Sequence, residues 1–225
     1  MPTTARDRAR AELTAEIADL ARAQLATVGA AGLSLRAVAR ELGMASSAVY
    51  RYFASRDELL TRLIIDGYDA VGVEAEQADD PAAPPVGRWL AVCRAVRRWA
   101  LAHPHEYALL YGSPVPGYSA PQDTVPAASR VGVVLGHVLG DAARAGRLPD
   151  AAGVTTYTVS PEATEVLGGE HPALDDRVRA RALLAWSGLY GTVSFEVFGH
   201  FVGSVTDADA FFDDAMRDLA GLLGL

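Results

Sequence analysis

The chain has 225 residues, half of them hydrophobic and about a fifth charged, so it can form one large domain or a small domain joined to a larger one. Its single cysteine, Cys93, excludes an intramolecular disulfide and a cysteine-rich metal site, and we interpret it as a small core residue rather than a sensing thiol. No apolar run is long enough to cross a membrane, and residues 1–20 lack a signal-peptide core. The sequence therefore predicts a cytoplasmic protein without a membrane partner.

The charge is distributed unevenly along the chain. The formal net charge of −8 by itself argues against a nucleic-acid partner, because DNA affinity depends largely on cations that meet phosphates. Residues 1–60, however, carry eight arginines and seven acidic residues, a net charge of +1, which leaves −9 for the remainder. The acidity belongs to the C-terminal portion, so a DNA-binding role stays open for the N-terminal portion.

Helical patterns account for the first sixty residues. Glycines 29 and 32 are expected to end a first helix. Ser34 stands at the N-cap position of a second helix that Gly43 ends, and a short third helix follows over about 46–53. Ser55-Arg-Asp-Glu58 has the pattern of a capping box at the start of a long helix. The stripe of the first helix consists of Leu13, Ile17, Leu20, Gln24 and Val28.

The rest of the chain is also predicted to be helical. The proline-rich segment 79–85 breaks the long helix and is the best candidate for a domain boundary. The run 154–159 has the composition of a strand, but an isolated strand has no partner in such a chain, so we interpret it as a loop. Further helices are predicted over about 86–103, 105–111, 127–145, 174–201 and 207–223.

The fold class predicted from this pattern is all-α with two domains. Residues 1–55 would form a three-helix helix-turn-helix DNA-binding domain. Residues 56–225 would form a helical ligand-binding and dimerisation domain, with a linking helix over 56–78 and the boundary loop over 79–85.

Two short helices around a glycine-containing turn form a helix-turn-helix when they pack on a preceding helix. The turn is Leu42-Gly43-Met44-Ala45, and Gly43 suits a left-handed backbone conformation. The helix after the turn carries hydroxyls, phenols and a guanidinium outside its apolar positions. The candidate DNA-contacting residues are Arg36, Ser46, Ser47, Tyr50, Arg51, Tyr52 and Arg56.

The segments Ser34–Gly43, Ser47–Phe53 and Ser55–Leu60 together resemble the N-terminal signature of the TetR family of transcription regulators. The resemblance covers about residues 10–60, and the combined pattern is highly specific, although each piece alone is weak. It implies a dimeric regulator that binds operator DNA through this N-terminal helix-turn-helix domain, which we call the head.

The resemblance also implies roles for the individual residues. Tyr50 and Tyr52 would touch the DNA backbone, whereas Ser46, Ser47 and Arg51 would face the major groove. From the residues alone, Tyr50 could instead belong to the core, and Ser46 could serve mainly as an N-cap.

Three further features concern the arginines of the head. Arg36 would reach a base or a phosphate at the edge of the groove. Arg56 stands where family members usually carry lysine, and we expect a cation there to keep a phosphate contact. The arginines within residues 6–10 could form an arm that reaches a groove, or an ordinary solvated end of the chain.

The last two predicted helices are apolar on more than one side. Burial within one subunit would account for one face only, so two copies of the pair would close a symmetric four-helix bundle. The sequence therefore predicts a homodimer. The predicted dimer-interface residues are Trp186, Leu189, Val193, Val197, Phe212, Met216 and Leu219.

Residues 186–200 resemble the C-terminal domain of one TetR subgroup, the so-called WHG domain, over about residues 85–200. The sequence departs from that pattern at Tyr190, where histidine is usual, so any role that this histidine has in relatives is not assigned here. TetR-like proteins usually hold a small effector in this domain. Aromatic residues with polar edges suit an apolar ligand, although a plain core shows the same stripe. The candidate pocket residues are Trp99, His103, Tyr107, Tyr111 and Trp186.

No motif of enzyme chemistry occurs in the sequence, and we expect neither a catalytic site nor a cofactor. Glu196 and His200 share a helix face, but a metal site needs more ligands, so a hydrogen-bonded pair or a solvated edge is favoured. The prediction is a homodimeric regulator, usually a repressor in this family, that binds palindromic double-stranded operator DNA and is released by an unidentified small-molecule effector. The alternative is an effector-independent DNA-binding dimer whose C-terminal domain serves only dimerisation or a protein partner.

Overall fold

The computed structural model describes residues 4–148, 158–167 and 174–225. These ranges contain helices and irregular segments but no strand, which confirms the predicted all-α fold. No helix in the described part of the chain is long and apolar enough to cross a membrane. The helices are α1 (Ala5–Gly32), α2 (Leu35–Glu41), α3 (Ser46–Val49), α4 (Arg56–Ala78), α5 (Pro85–Ala102), α6 (Pro104–Tyr111), a 3₁₀ turn (Gln122–Thr124), α7 (Val125–Arg144), α8 (Pro161–Val166), α9 (Asp176–Val197) and α10 (Ala208–Leu223).

The chain divides into two compact units that do not follow chain order. The first comprises Met1–Tyr68 and His103–Val125, and the second comprises Asp69–Ala102 and Pro126–Leu225. Helix α4 therefore contributes to both units, and α6 belongs to the first. The predicted separation of DNA binding (1–55) from ligand binding and dimerisation (56–225) concerns function and stays a prediction.

Helix α1 bends at Gly29 and continues to Gly32. Gly29 has a φ of 64°, a left-handed conformation that glycine adopts without steric cost. The buried face of α1 includes Ile17, Ala21 and Leu25, and it ends before this bend. Val28, predicted to continue the stripe, is 54% exposed, so that part of the prediction was wrong. Beyond the bend the chain meets the core again through Ala30 and the buried Leu33.

The helix-turn-helix forms as predicted. The Ser34 hydroxyl accepts a hydrogen bond from the Ala37 N–H at the start of α2, and Gly43 in the turn has a φ of 66°. Full burial of each large aliphatic side chain in this unit contributes about 1.5–3 kcal/mol. The apolar side chains that lock the three helices and the start of α4 together include Leu35, Val38, Val49, Phe53, Leu59 and Leu60.

The second unit is built around helices α5, α9 and α10. The Trp89 indole N–H on α5 donates to the Met216 carbonyl on α10 at 2.9 Å, deep in the core. A Cβ placed on Gly188 of α9 would lie 3.0 Å from the Leu219 side chain, so glycine lets α9 and α10 approach closely. These contacts fix the pair of C-terminal helices on α5.

Helix α8 was not predicted. Ser160 accepts a hydrogen bond from the Ala163 N–H, and Pro161 occupies the first helical position, which together are a usual helix start. Of the run 154–159 that we interpreted as a loop, residues 154–157 lie outside the described residues, and residues 158 and 159 have no regular structure.

Arg88 forms a buried ion cluster at the start of α5. Its side chain is 4% exposed and donates two hydrogen bonds to the Asp79 carboxylate, at 2.6 and 2.8 Å. A third goes to Asp141 on α7 at 2.7 Å. The Arg88 hydrogen bond, and then that of Arg144, hold the pKa of Asp141 below its usual value. Asp79, the first residue of the predicted boundary segment 79–85, is therefore connected through Arg88 to α5 and α7 of the second unit.

Candidate nucleic-acid interface

Helix α3, the candidate recognition helix, is shorter than predicted. It spans only Ser46–Val49, and residues 50–52 continue as turns, whereas the sequence predicted a helix over about 46–53. Its N-cap residue is Ala45, so Ser46 is the first helical residue and does not cap. The Ser46 hydroxyl is thus not engaged in the capping role that the sequence left open.

The predicted groove-facing residues share one exposed surface. Ser46, Ser47 and Arg51 are exposed, and Tyr50 is 42% exposed, so Tyr50 is not a core residue. Tyr52, in contrast, is half-buried and packs against the core of the first unit, although the sequence placed it outside the apolar stripe. Exposed Arg36 lies in the first turn of α2.

Arg56 closes the end of α1. Its guanidinium donates hydrogen bonds to the carbonyls of Ala30 at 2.7 Å, Ala31 at 3.0 Å and Leu33 at 3.2 Å. The last carbonyls of a helix have no partner within the helix, and arginine is well suited to supply one. Arg56 therefore fixes the junction between α1 and α2 from the start of α4, and its predicted phosphate contact stays a prediction.

The start of α4 is fixed by Ser55 and Glu58. The Ser55 hydroxyl accepts the Glu58 N–H at 3.1 Å, as the capping box predicts. The Glu58 carboxylate accepts the N–H of Ala54, one residue before the position that the pattern predicts. Both bonds hold the chain between the recognition helix and α4 in one conformation.

The arginines at the beginning of the chain lie on a helix. Thr4 and Asp7 form a reciprocal capping box at the start of α1, and the Thr4 hydrogen bonds lower the pKa of Asp7. Residues 6–10 are therefore helical and form neither an extended arm nor a frayed end. The Arg10 guanidinium reaches the backbone of Arg51, beside the recognition helix.

The comparisons with known proteins agree with this geometry. The family profile described as "Bacterial regulatory proteins, tetR family" matches residues 17–63. The profile described as "Tetracyclin repressor-like, C-terminal domain" matches residues 89–219, where the sequence resembled a TetR-type C-terminal domain. The chain belongs to the TetR family. It is therefore a DNA-binding transcriptional regulator of the helix-turn-helix class.

Relatives extend over nearly the whole chain. The HTH-type transcriptional regulators Rv1816 of Mycobacterium tuberculosis and Mb1846 of Mycobacterium bovis are each 42% identical to it over 227 residues, which covers 96% of this chain and 94% of theirs. The crystal structure of the regulatory protein SCO4313 is 36% identical with a TM-score of 0.74, and the match covers 97% of this chain and 100% of that one.

In this TetR-family protein, the predicted pocket residues fall in both compact units. Trp99 is buried in the second unit. His103, Tyr107 and Tyr111 belong to the first unit. Tyr107 is buried there, with its ring centroid 4.9 Å from that of Tyr111. Tyr111 also meets Tyr68 edge-on at 5.8 Å, whereas His103 is exposed.

Trp186, the remaining predicted pocket residue, lines an apolar cavity in the second unit. The cavity has a volume of about 10 Å³, roughly the space for one water molecule. The Trp89 indole N–H is already bonded to Met216, so Trp89 presents only its ring. The cavity is lined by Trp89, Gly132, Leu135, Gly136, Leu139, Leu167, Ala182 and Trp186.

The predicted dimer-interface residues separate into two groups. Leu189, Val193, Phe212 and Met216 are buried within a single chain, because α9 and α10 pack these sides against α5 and each other. Because these side chains have no exposed area, they cannot contact a second copy of the chain in this conformation. Trp186 is exposed, while Val197 and Leu219 are half-buried.

Other apolar residues on α9, on the turn that follows it and on α10 are exposed, and the predicted interface residues do not include them. Local sequence patterns do not separate them from the buried residues, because apolar residues occur on nearly every side of α9. Phe201 connects two of the rings, with centroids 5.6 Å from Phe195 and 5.1 Å from Phe211. We call this the apolar surface; its exposed members are Leu184, Phe195, Phe198, Val202 and Phe211.

Glu196, next to Phe195 in the chain, forms an ion pair. Arg97 binds its carboxylate through two hydrogen bonds of 2.6 and 2.7 Å. The His200 ring lies tilted against the Phe195 ring, with the centroids 5.1 Å apart. The structure thus pairs Glu196 with Arg97. Within the described ranges, no group of three or more histidine, cysteine or acidic side chains could hold a metal ion. Cys93 is buried, and burial raises the pKa of its thiol.

Proposed function

We propose that this TetR-family protein is a homodimer that binds a palindromic operator through two copies of its recognition helix and is released by a small-molecule effector, as a repressor. The observation that carries the DNA-binding part is the exposed polar surface of Ser46, Ser47, Tyr50 and Arg51 on a head whose other helices are locked by a buried core. Arg51 and the serines would read base edges in the major groove. Tyr50, Tyr52, Arg36 and Arg56 would contact phosphates or the groove edge.

Selection of bound sequences from a random duplex pool tests this function. We expect a palindromic consensus with half-sites about one helical turn apart, roughly 34–36 Å, because a two-fold dimer presents its heads symmetrically. Recovery of no consensus would contradict sequence-specific readout, and a single unpaired half-site would contradict the dimer.

Arg51→Ala should relax base preference at one position of each half-site. A bidentate contact of arginine with guanine contributes about 1–3 kcal/mol of discrimination, so we expect the preference there to fall by about tenfold or more. Fluorescence anisotropy with the selected operator and single-base variants measures it. Arg40→Ala is the matched control, since Arg40 is exposed on α2 and removes the same charge. If Arg51→Ala and Arg40→Ala show the same base preference, Arg51 does not contact a base.

The homodimer is supported by the apolar surface. Val202 is 86% exposed and the neighbouring phenylalanines of α9 and α10 are about half exposed, which is unusual for aromatic side chains of a protein in water. A second copy of the same surface would cover them, with α9 and α10 of each chain forming a four-helix bundle. Trp186, Val197 and Leu219 retain exposed area and would lie in or beside this contact.

The effector would occupy the apolar cavity after enlarging it. A ligand that binds one conformation better than another shifts the population toward it, and α4, which belongs to both compact units, is the element we propose carries the change to the head. The small volume of the cavity favours the second candidate function, an effector-independent dimer. A screen of small uncharged aromatic compounds for operator release and raised thermal midpoint separates the two.

Ala182→Leu should abolish the response to such a compound. Ala182 lines the cavity, so the larger side chain fills the space that the ligand needs. Ala180→Leu is the control, because Ala180 lies half-buried on the same helix outside the cavity lining. Overpacking can cost about 1–3 kcal/mol, so the thermal midpoint of each free variant is measured as well. A response retained by Ala182→Leu would place the effector elsewhere, and no response to any compound would support the effector-independent dimer.

A further inference from the structure

The recognition helix is too short to hold its own conformation. It contains four helical residues, and isolated helices shorter than about 12–15 residues are marginal in water. Its buried side chain, Val49, anchors the helix to the core from one side. The backbone that follows, from Tyr50 to Tyr52, forms turns and carries the exposed Arg51 side chain. Contacts from outside the helix must therefore fix where Arg51 points.

Arg10 supplies such contacts from a helix far away in the sequence. Its Nη2 donates a hydrogen bond of 2.9 Å to the carbonyl of Arg51, across a sequence separation of 41 residues. The same guanidinium lies over the Tyr52 ring, 5.4 Å from its centroid, at the distance of a cation–π contact. Arg10 thus touches two consecutive residues of the turn that follows the recognition helix.

Arg10 is itself held on a defined part of α1. The capping box of Thr4 and Asp7 fixes the first turn, and the Arg10 carbonyl accepts a hydrogen bond from the Thr14 hydroxyl at 2.8 Å. Further along α1, Ile17 is completely buried in the core of the head. The hydrogen bond from Arg10 therefore connects the backbone of Arg51, through α1, to the buried core of the same unit.

The geometry points to Arg10 as a positioning residue for operator readout: it fixes the backbone of Arg51 and the ring of Tyr52, and so sets the specificity of the recognition helix. This inference rests on the proposed readout by Arg51. A base contact made through two hydrogen bonds tolerates displacements of only about 0.5 Å, so its supporting backbone must be held by neighbouring groups. Removal of the Arg10 side chain frees that backbone while the Arg51 side chain remains.

A competing role for Arg10 is a direct phosphate contact. The side chain is exposed, and its guanidinium has further N–H groups beyond the one that binds the Arg51 carbonyl. The two roles differ in what they do to DNA binding. Loss of a phosphate contact weakens binding to every sequence and makes the salt dependence shallower by about one unit of slope. Loss of a positioning contact lowers the affinity for the operator relative to other DNA.

The test compares Arg10→Ala with Arg8→Ala in the full chain. Arg8 is exposed on the same helix, and its replacement removes the same charge. Affinities for the selected operator and for a random duplex are measured at several salt concentrations, together with the thermal midpoint. We expect Arg10→Ala to reduce the ratio of operator affinity to random-duplex affinity by about tenfold, because it loses a hydrogen bond from a charged donor. We expect the salt dependence of its binding to have the same slope as that of Arg8→Ala.

Arg10→Lys extends the comparison, since it keeps the charge but loses the planar guanidinium. We expect only partial recovery of the operator-to-random ratio. An unchanged ratio in Arg10→Ala would overturn the inference, as would an equal loss on both duplexes with a shallower slope than Arg8→Ala. If the wild-type protein itself shows no operator preference, the proposed function fails instead, so the two failures are distinguishable.

Discussion

Arg88→Ala is expected to lower the free energy of unfolding by about 3–5 kcal/mol, the usual result of removing one partner from a buried ion pair. The substitution leaves the Asp79 carboxylate, which is largely buried, and one oxygen of Asp141 without the guanidinium that binds them. It also releases the segment before α5 from α7. Chemical denaturation of the full chain at a fixed protein concentration measures the effect, since dimerisation would make stability depend on concentration.

Arg144→Ala is the matched control for this cluster. Arg144 also pairs with Asp141, but its side chain is largely exposed, and pairs of that kind contribute about 0–1 kcal/mol. Similar destabilisation by both substitutions would show that burial of Arg88 is not what makes its pair important.

The pH dependence of the same comparison has a defined sign. Because Arg88 lowers the pKa of Asp141 in the folded chain, this carboxyl adds stability above its unfolded-state pKa and loses it as the pH falls through the folded-state value. The difference in the free energy of unfolding between wild type and Arg88→Ala should therefore become smaller at acidic pH. A difference that widened in acid would contradict the assigned ion pair.

The parts of the fold that local patterns encode were predictable. Helix starts at Ser34 and Ser55, the left-handed turn at Gly43 and the exposed groups around Arg51 all depend on neighbours within about four residues along the chain. Such features are visible in a sequence because hydrogen bonding and helical periodicity act over that distance. The family signature then assigned them to DNA binding.

The arginine contacts that organise the molecule were not predictable in the same way. Arg10 bonds to a residue 41 positions away, Arg88 to one 53 positions away, and Arg97 to Glu196 across 99 positions. Each of these side chains is also compatible with a solvated position on an amphipathic helix. Only the packing of the helices decides which arginines meet which carboxylates or carbonyls.

The C-terminal helices illustrate a different limit. On α9, apolar residues occur on nearly every side, so periodicity cannot tell which face packs inside one chain and which remains outside. The prediction therefore mixed the buried Leu189 and Val193 with the exposed Trp186 in one interface. Once α5 and α10 cover one side of α9, exposure separates the two groups.

Phe195→Asp is expected to convert the protein into monomers and to weaken operator binding by about 100-fold or more. Phe195 lies in the apolar surface, half exposed and in ring contact with Phe201. A carboxylate at this position would have to lose its hydration in the proposed contact between two copies, and a two-fold contact would contain it twice. Without the dimer, the two heads bind as independent modules and the gain from linkage, about 10²–10⁴, disappears.

Val86→Asp is the control, because Val86 is a similarly exposed apolar residue in the first turn of α5, where an acidic residue is well tolerated. Light scattering after size exclusion measures the mass, and titration of a single half-site measures each head. Since the substitution lies in the second compact unit, Phe195→Asp should bind a half-site as tightly as one wild-type head does. A dimeric Phe195→Asp protein would rule out the apolar surface as the contact. A monomer with unchanged operator affinity would instead show that the two heads read DNA independently.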